Sequence, residues 1–382
     1  MSLQAHKNLL SGMIVRTLFG YSVFNFVLLN LTLIAEFSLT AFGIGALMAA
    51  YWIPALIFPL LIGKLADKIG EKMLVVIGCF TIALGALIIG QAPYFEILLV
   101  GRFISGVGAI LFWTSGINLV SKMYKNEKIS FVTSLIVLCY GVGTLFAMWL
   151  VPVQGDVLGW RNVFMITAVY GLSVAITVLF LSKNPAADCD RKPCNVKKLV
   201  KNKNLFKIAI AQSFSVGAWT SFLTFFSVSL ILEKGVETYL ANSTVIIASI
   251  SGIIFALIGG YLADKKFNRS FWIYFPLFLF SIVLFILNLV SGLNIILDLI
   301  LSWLIGAFVW IPQGSIWSLP KIIEPKYPNI AMSILVIITA AGGILFPVIF
   351  GLLVDISATY LFSFIFLGLT VLFASILSYK ID

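Results

Sequence analysis

Long apolar runs separated by short charged stretches set the pattern of this chain. A helix needs about 20 predominantly apolar residues to cross the hydrocarbon of a bilayer. The sequence holds twelve runs of about that length, near 13–35, 40–62, 73–91, 96–121, 129–152, 161–182, 205–232, 242–262, 271–290, 293–318, 329–353 and 359–379. Pro and Gly interrupt several of them, which membrane helices tolerate. The expected fold class is an all-α membrane protein with twelve transmembrane helices. The run that follows MSLQAHKNLLSGMIVR has no small-residue cleavage site after it, so it reads as the first membrane helix and not as a cleaved leader.

The polar positions set the topology. Lys7, Lys64, Lys68, Lys72, Lys122, Lys125, Lys128, Lys265, Lys266, Arg269, Lys321, Lys326 and Lys380 fall at the termini or in the even-numbered connections. Among the odd ones Arg161 and Lys234 are the exceptions. The positive-inside rule then puts both termini in the cytoplasm of a multi-pass cell-membrane protein. The longest connection is basic, carries Pro185 and Pro193, and has no apolar period. It divides the chain into a six-helix bundle at 1–182, a cytoplasmic linker at 183–204 and a second bundle at 205–382.

Composition narrows the class further. Apolar residues make up 61% of the chain and charged residues 10%, against about 45–50% and about 25% in soluble domains. That excludes a water-soluble globule. The net charge of +10 is spread over separate loops, which argues for attraction to anionic lipid and against a nucleic-acid partner. Cys79 and Cys139 sit in apolar runs as packing residues. Cys189 and Cys194, in the basic loop, have no His or second Cys pair nearby and read as a reduced, inert pair.

The charged punctuation recurs. GKLADKIGEK (Gly63 to Lys72) ends one apolar run, and GYLADKK (Gly260 to Lys266) ends another about 197 residues later. Each joins the second and third helix of its half. GDVLGW at Gly155 matches VDISATY at Val354, and Gly108-Ala109 matches Gly306-Ala307. The chain reads as a duplicated six-helix unit.

These features resemble the major facilitator superfamily of transporters over the whole chain. The family's loop pattern G-x-L-A-D-[RK]-x-G-[RK]-[RK] is met by Gly63, Leu65, Ala66, Asp67, Lys68, Gly70 and Lys72, while Glu71 stands where a basic residue is usual. The second copy keeps Gly260, Leu262, Ala263, Asp264 and Lys265. A further family pattern, R-x-x-x-G-x-G, is present as Arg102, Gly106 and Gly108, and GWRNVF (Gly159 to Phe164) resembles the usual start of the sixth helix. The resemblance implies two pseudo-symmetric six-helix bundles that expose a midplane site alternately. It also implies a cytoplasmic latch at Asp67, Lys68 and Asp264, with helices 1, 4, 7 and 10 lining a central cavity.

Charges within the spans are the first functional candidates, because they are expensive there. Arg16 lies about one turn inside the first run, where an interfacial Arg that snorkels is the plain alternative. Arg102 lies deep in the fourth run. Asp298 lies about two turns into the tenth if that helix starts near Ser291. The repeat offset sets Asp298 within a residue or two of the position equivalent to Arg102, so the two are a candidate outer gate. The candidate substrate contacts are Arg16, Tyr21, Asn25, Arg102, Asn118, Gln212, Trp310 and Gln313, with Asn30, Thr114, Ser115, Thr220 and Thr224 also polar on these helices. Each is equally readable as interhelical glue. Trp303, Trp310 and Trp317 recur every seven residues and share one face, as packing or as an aromatic wall.

The net positive inventory of Arg16, Arg102 and Asp298 favours an anionic substrate such as a small carboxylate. The expected function is a secondary transporter for a small organic anion, acting as a monomer in membrane lipid and needing no cofactor. A co-transported or exchanged ion is an open partner; facilitated diffusion, anion exchange and proton coupling through Asp298 all fit. The alternatives are a proton-coupled drug or multi-compound exporter and a non-transporting receptor or scaffold. CYGVGTLFAMWLVP (Cys139 to Pro152) lacks the Gly-Pro of the exporter signature. No cluster of His, Cys or carboxylates in a helix suggests an enzyme.

Overall fold

The computed structural model of the chain describes residues 3–121, 126–184, 202–264, 270–324 and 328–379. Cys189, Cys194 and most of the basic linker lie outside the described residues, as do the side chains of Asp67, Thr114, Asn118 and Asp264. Regular structure among the described residues is helical. The chain opens with α1 (Leu3–Phe24), a short turn with a 3-10 segment at Val27–Leu29, and α2 (Asn30–Phe37). Then come α3 (Ala41–Trp52), α4 (Pro54–Ile57), α5 (Pro59–Ile69), α6 (Glu71–Gly90), α7 (Phe95–Ser121), α8 (Asn126–Leu158) and α9 (Trp160–Leu181). The second half holds α10 (Lys203–Leu232), α11 (Thr238–Asp264), α12 (Phe271–Val290), α13 (Ile295–Trp310), α14 (Gln313–Ile323), α15 (Pro328–Ser357) and α16 (Leu361–Ser378).

Among the described residues, eleven helical stretches are long and apolar enough to cross a membrane, and Ala41–Ile57 is a shorter one. The second run is cut at Ile53 and Phe58 because Pro54 and Pro59 follow them. Proline removes a backbone donor and bars the preceding residue from easy helix continuation. The tenth run divides at Ile311-Pro312 for the same reason. The first run differs from expectation at both levels: α1 begins at Leu3, ten residues before the apolar run, and it breaks after Phe24 with no proline to announce it.

Contacts group the chain into one unit of Met1–Leu29 with Ala50–Pro193, and a second of Asn30–Ala49 with Cys194–Asp382. The same packing plan runs through both. In the first unit α1 lies on α8, α6 on α9, and α7 against α4 and α5; in the second α10 lies on α15, α12 on α16, and α13 on α11. The α1–α8 approach is close because a Cβ at Gly143 would overlap the Thr17 carbonyl, and α10–α15 is close because one at Gly342 would overlap the Ser213 carbonyl. In the same way Gly106 faces the Tyr51 carbonyl and Gly306 faces the Ala248 carbonyl. Small residues at such crossings let helices gain dispersion contact where no hydrophobic force drives them together.

These contacts fix the internal alignment. The sequence match pairs Gly108 with Gly306, whereas the packing pairs Gly106 with Gly306. On that register Ser302, four residues before Gly306 as Arg102 is before Gly106, takes the place of Arg102.

Candidate functional site

Arg16 lies about 20 Å along α1 from Leu3, at 1.5 Å per residue. Residues 3–12 extend this helix ahead of the apolar run in which Arg16 lies. The residue is 6% exposed. Its guanidinium carbon sits 4.0 Å from the Trp113 ring centroid, 5.2 Å from Phe19 and 5.9 Å from Tyr140. Phe19 ties these rings together, 4.9 Å from Trp113, 5.2 Å from Tyr140 and 5.8 Å from Phe112. Nε and Nη1 of Arg16 are buried and have no hydrogen-bond partner among the described residues. A buried ion costs several kcal/mol, and cation–π contact returns about 2 kcal/mol when desolvated. The rings therefore offset only part of the penalty, and two strong donors remain unused.

Arg102 is the opposite case. It is 1% exposed; Nη1 donates to the Ser22 carbonyl at 2.8 Å and Nη2 to the Val23 carbonyl at 2.9 Å. Those carbonyls belong to the last turn of α1, where four are left without intrahelical partners. The break after Phe24 thus has a cation at the negative end of the helix dipole. The guanidinium is held between Phe26 and Tyr51, each ring centroid at 4.5 Å. Asn25 Oδ1 accepts a longer bond from Nη1 at 3.4 Å, while its Nδ2 reaches Thr167 Oγ1 at 3.4 Å. Ser22 Oγ and Tyr51 Oη share a 2.7 Å bond. Tyr21 is buried edge-on to Tyr170, centroids 5.9 Å apart.

In the second unit Gln212 of α10 and Gln313 at the start of α14 face each other. Gln212 Nε2 donates to Gln313 Oε1 at 2.8 Å, and Trp317 Nε1 donates to the same oxygen at 2.9 Å. Gln313 Nε2 donates to the Val309 carbonyl at 3.0 Å, across the Ile311-Pro312 break. The Trp stripe is largely a packing face: Trp310 fills the space beside Gly252, and Trp303 meets Phe255 edge-on at 6.3 Å. Trp310 also meets Trp219 of α10 edge-on at 6.3 Å.

Asp298 lies in the first turn of α13, not two turns in, because Asn294 caps that helix. Its carboxylate is buried and accepts from the Gly292 backbone N–H at 3.1 and 3.4 Å, pinning the turn that leads into the helix. Within their own units, then, Asp298 and Arg102 each bind backbone.

Other polar groups missed in the sequence do visible work. Asn8, fully buried, donates to the Leu119 and Lys183 carbonyls at 3.0 and 2.9 Å and accepts from the Lys183 N–H at 3.1 Å, tying three helix ends of the first unit. Asn184 Oδ1 accepts from the Lys72 N–H at 2.8 Å and closes the N-terminus of α6 beside Gly70, whose φ of +84° suits glycine. Glu71 begins α6, where an acidic side chain complements the dipole, and Lys68 is exposed. In the second unit both oxygens of Asp355 accept from the N–H groups of Ala41 and Phe42 at 2.9 Å, capping α3. They border a cavity of about 160 Å³ with Asn30, Phe225 and Tyr360. The Tyr360 hydroxyl there has its pKa pushed up to about 12, by burial first and then by Glu233 and Asp355.

Residues 10–321 match the sequence profile of the Major Facilitator Superfamily. The chain belongs to that family. It is a multi-pass membrane protein of that superfamily. The Probable nitrate transporter NarT of Staphylococcus epidermidis is 25% identical over 317 residues, 80% of this chain and 78% of that protein. The Riboflavin transporter RibZ of Clostridioides difficile is 26% identical over 194 residues, 50% of this chain but only 41% of the relative's length. Among solved structures, an inward-facing, occupied bacterial homologue of the human lysosomal transporter Spinster superposes with a TM-score of 0.83 at 15% identity, covering 99% of this chain and 97% of that one. At that identity the likeness speaks for the fold alone.

Proposed function

We propose that this transporter carries a small organic anion across the cell membrane by alternating access of its two halves, with Arg16 as the group that recognises the negative charge. One observation carries the reading: a deeply buried guanidinium keeps two hydrogen-bond donors without a partner. An oxyanion accepting from Nε would neutralise the charge and satisfy a donor that the protein leaves unused, with Nη1 open to a second acceptor group of the same compound. The relative that matches over most of its length is named for nitrate, also an anion. The Lys and Arg bias of the loops supports cytoplasmic termini.

The aromatic cluster of Phe19, Phe112, Trp113 and Tyr140 favours a second reading, an exporter of flat aromatic compounds. Thermal stabilisation of the purified protein by a panel of carboxylates, nitrate, riboflavin and lipophilic cations separates the two. A ligand present at 100 times its Kd stabilises by about 2.7 kcal/mol. The anion reading expects stabilisation by anions in the parent protein and none in Arg16→Met. Stabilisation by riboflavin or cations only, unchanged in Arg16→Met, refutes it in favour of the exporter.

A further inference from the structure

The amide pair of the second unit has only one consistent orientation. Trp317 Nε1 is a donor and cannot accept, so the Gln313 atom 2.9 Å from it must be the carbonyl oxygen. The Val309 carbonyl, 3.0 Å from the other terminal atom of Gln313, demands the same assignment independently. Gln313 Oε1 therefore accepts twice, from Trp317 and from Gln212, and both its lone pairs are in use. Gln212 must point its nitrogen at Gln313 and its oxygen away. That oxygen is buried on a residue with 0% exposure and has no hydrogen-bond partner among the described residues. Interhelical glue accounts for the Gln212 nitrogen and leaves the oxygen unexplained.

The repeat gives this position a second meaning. Thr17 answers to Ser213 through the glycine crossings, so Arg16 answers to Gln212. Gly106 answers to Gly306, so Trp113, the ring under Arg16, answers to Gln313. Each unit thus holds an unpartnered buried polar atom at the same place in the same packing plan. The face of α10 continues the series: Ser215 Oγ and Trp219 Nε1 are also buried without partners. Residues 212, 215 and 219 share one helix face over about 10 Å.

We infer that Gln212 is a ligand-binding residue whose carbonyl oxygen accepts from an O–H or N–H group of the transported compound, with Ser215 and Trp219 extending the subsite. The ligand class is a hydroxylated or amide-bearing compound and not a plain alkyl acid; its negative charge is taken from the reading of Arg16 above.

The test uses matched pairs of probes on the purified full chain: gluconate against hexanoate, lactate against propionate, and neutral sorbitol. The donor-bearing member of each pair is expected to stabilise the parent protein at about tenfold lower concentration, the value of one well-placed hydrogen bond. Gln212→Met should erase that preference while leaving the response to hexanoate, which also shows that the variant is folded. Ser215→Ala, a smaller change, should narrow the preference if Gln212→Met does not fold. Equal responses within every pair, or a preference that survives both substitutions, overturn the inference while Arg16-dependent binding of the anions leaves the anion reading standing. Stabilisation by sorbitol through Gln212 with no response to any anion does the reverse.

Discussion

Two arginines, both buried within spans, are predicted to answer the same substitution in opposite directions. Arg102→Met removes the donors from the Ser22 and Val23 carbonyls and opens the space between Phe26 and Tyr51. An unsatisfied buried carbonyl costs about 1–3 kcal/mol, and two are created. Relief of the guanidinium's own desolvation offsets part, so a net loss of about 3 kcal/mol is expected. Arg16→Met breaks no hydrogen bond at Nε or Nη1. Replacing buried ion pairs by well-packed apolar side chains gains about 1–4 kcal/mol; a lone buried ion has no carboxylate to lose, so its replacement is expected to gain in that range less the cation–π contact given up. For a folding unit of this size each kcal/mol moves the midpoint by about 2–4 °C. Thermal unfolding in detergent without ligand should therefore fall by about 6–12 °C for Arg102→Met and rise by a few degrees for Arg16→Met. Binding should separate them again, with anion stabilisation lost in Arg16→Met and retained at lower temperature in Arg102→Met. A midpoint for Arg102→Met within 2 °C of the parent, or equal losses in both variants, would refute the division into one structural and one ligand-facing arginine.

Three further outcomes follow from single contacts. Asn8→Leu strands the buried Leu119 carbonyl and releases the exposed Lys183 segment, and should cost about 1–3 kcal/mol and speed hydrogen exchange at the Lys183 amide. Gly342→Val forces a side chain onto the Ser213 carbonyl and should cost at least about 1–3 kcal/mol by overpacking, whereas Gly116→Ala, whose nearest neighbour among the described residues is at 4.0 Å, should leave the unfolding midpoint unchanged or slightly raised. Tyr360 keeps its proton in the fold up to about pH 12, while in the unfolded chain a tyrosine releases it near pH 10. Its contribution is fully present below about pH 10 and is lost as pH rises to about 12, so between those values the parent should lose about 1–3 kcal/mol relative to Tyr360→Phe; parallel pH profiles would count against it.

The helix count, the duplicated halves and the family were legible because they rest on features that survive in one dimension: run length, charge sign in loops, and short Gly-containing turns at fixed offset. The register between the halves was legible only to within a few residues, and that margin decides chemistry. A shift of one residue turns a side chain by about 100°. Pairing Gly108 with Gly306 brings Asp298 close to the place of Arg102; pairing Gly106 with Gly306 brings Ser302 there instead. What separates the two registers is a glycine facing a carbonyl on another helix, and sequence does not record which glycine that is.

The break after Phe24 was invisible for a related reason. Pro54 and Pro59 mark the cuts in the second run, and Pro312 marks that in the tenth, but FNFVLL (residues 24–29) carries no proline or glycine. Its freed carbonyls are satisfied from α7 by Arg102, so the signal for the break lies about 80 residues away in another helix. Trp113 could have been found: it follows Arg102 by eleven residues, about three turns, and so shares its face. A ring on the face that carries the capping arginine was bound to meet α1 one or two turns before the break, and the residue it meets there is Arg16. The same helix pair thus supplies one arginine with carbonyls and the other with rings. Carbonyls satisfy a guanidinium's donors; rings attract its charge and leave its donors unused. That difference in partner, and not depth or burial, is what supports the proposal that Arg102 holds α1 and Arg16 meets an anion.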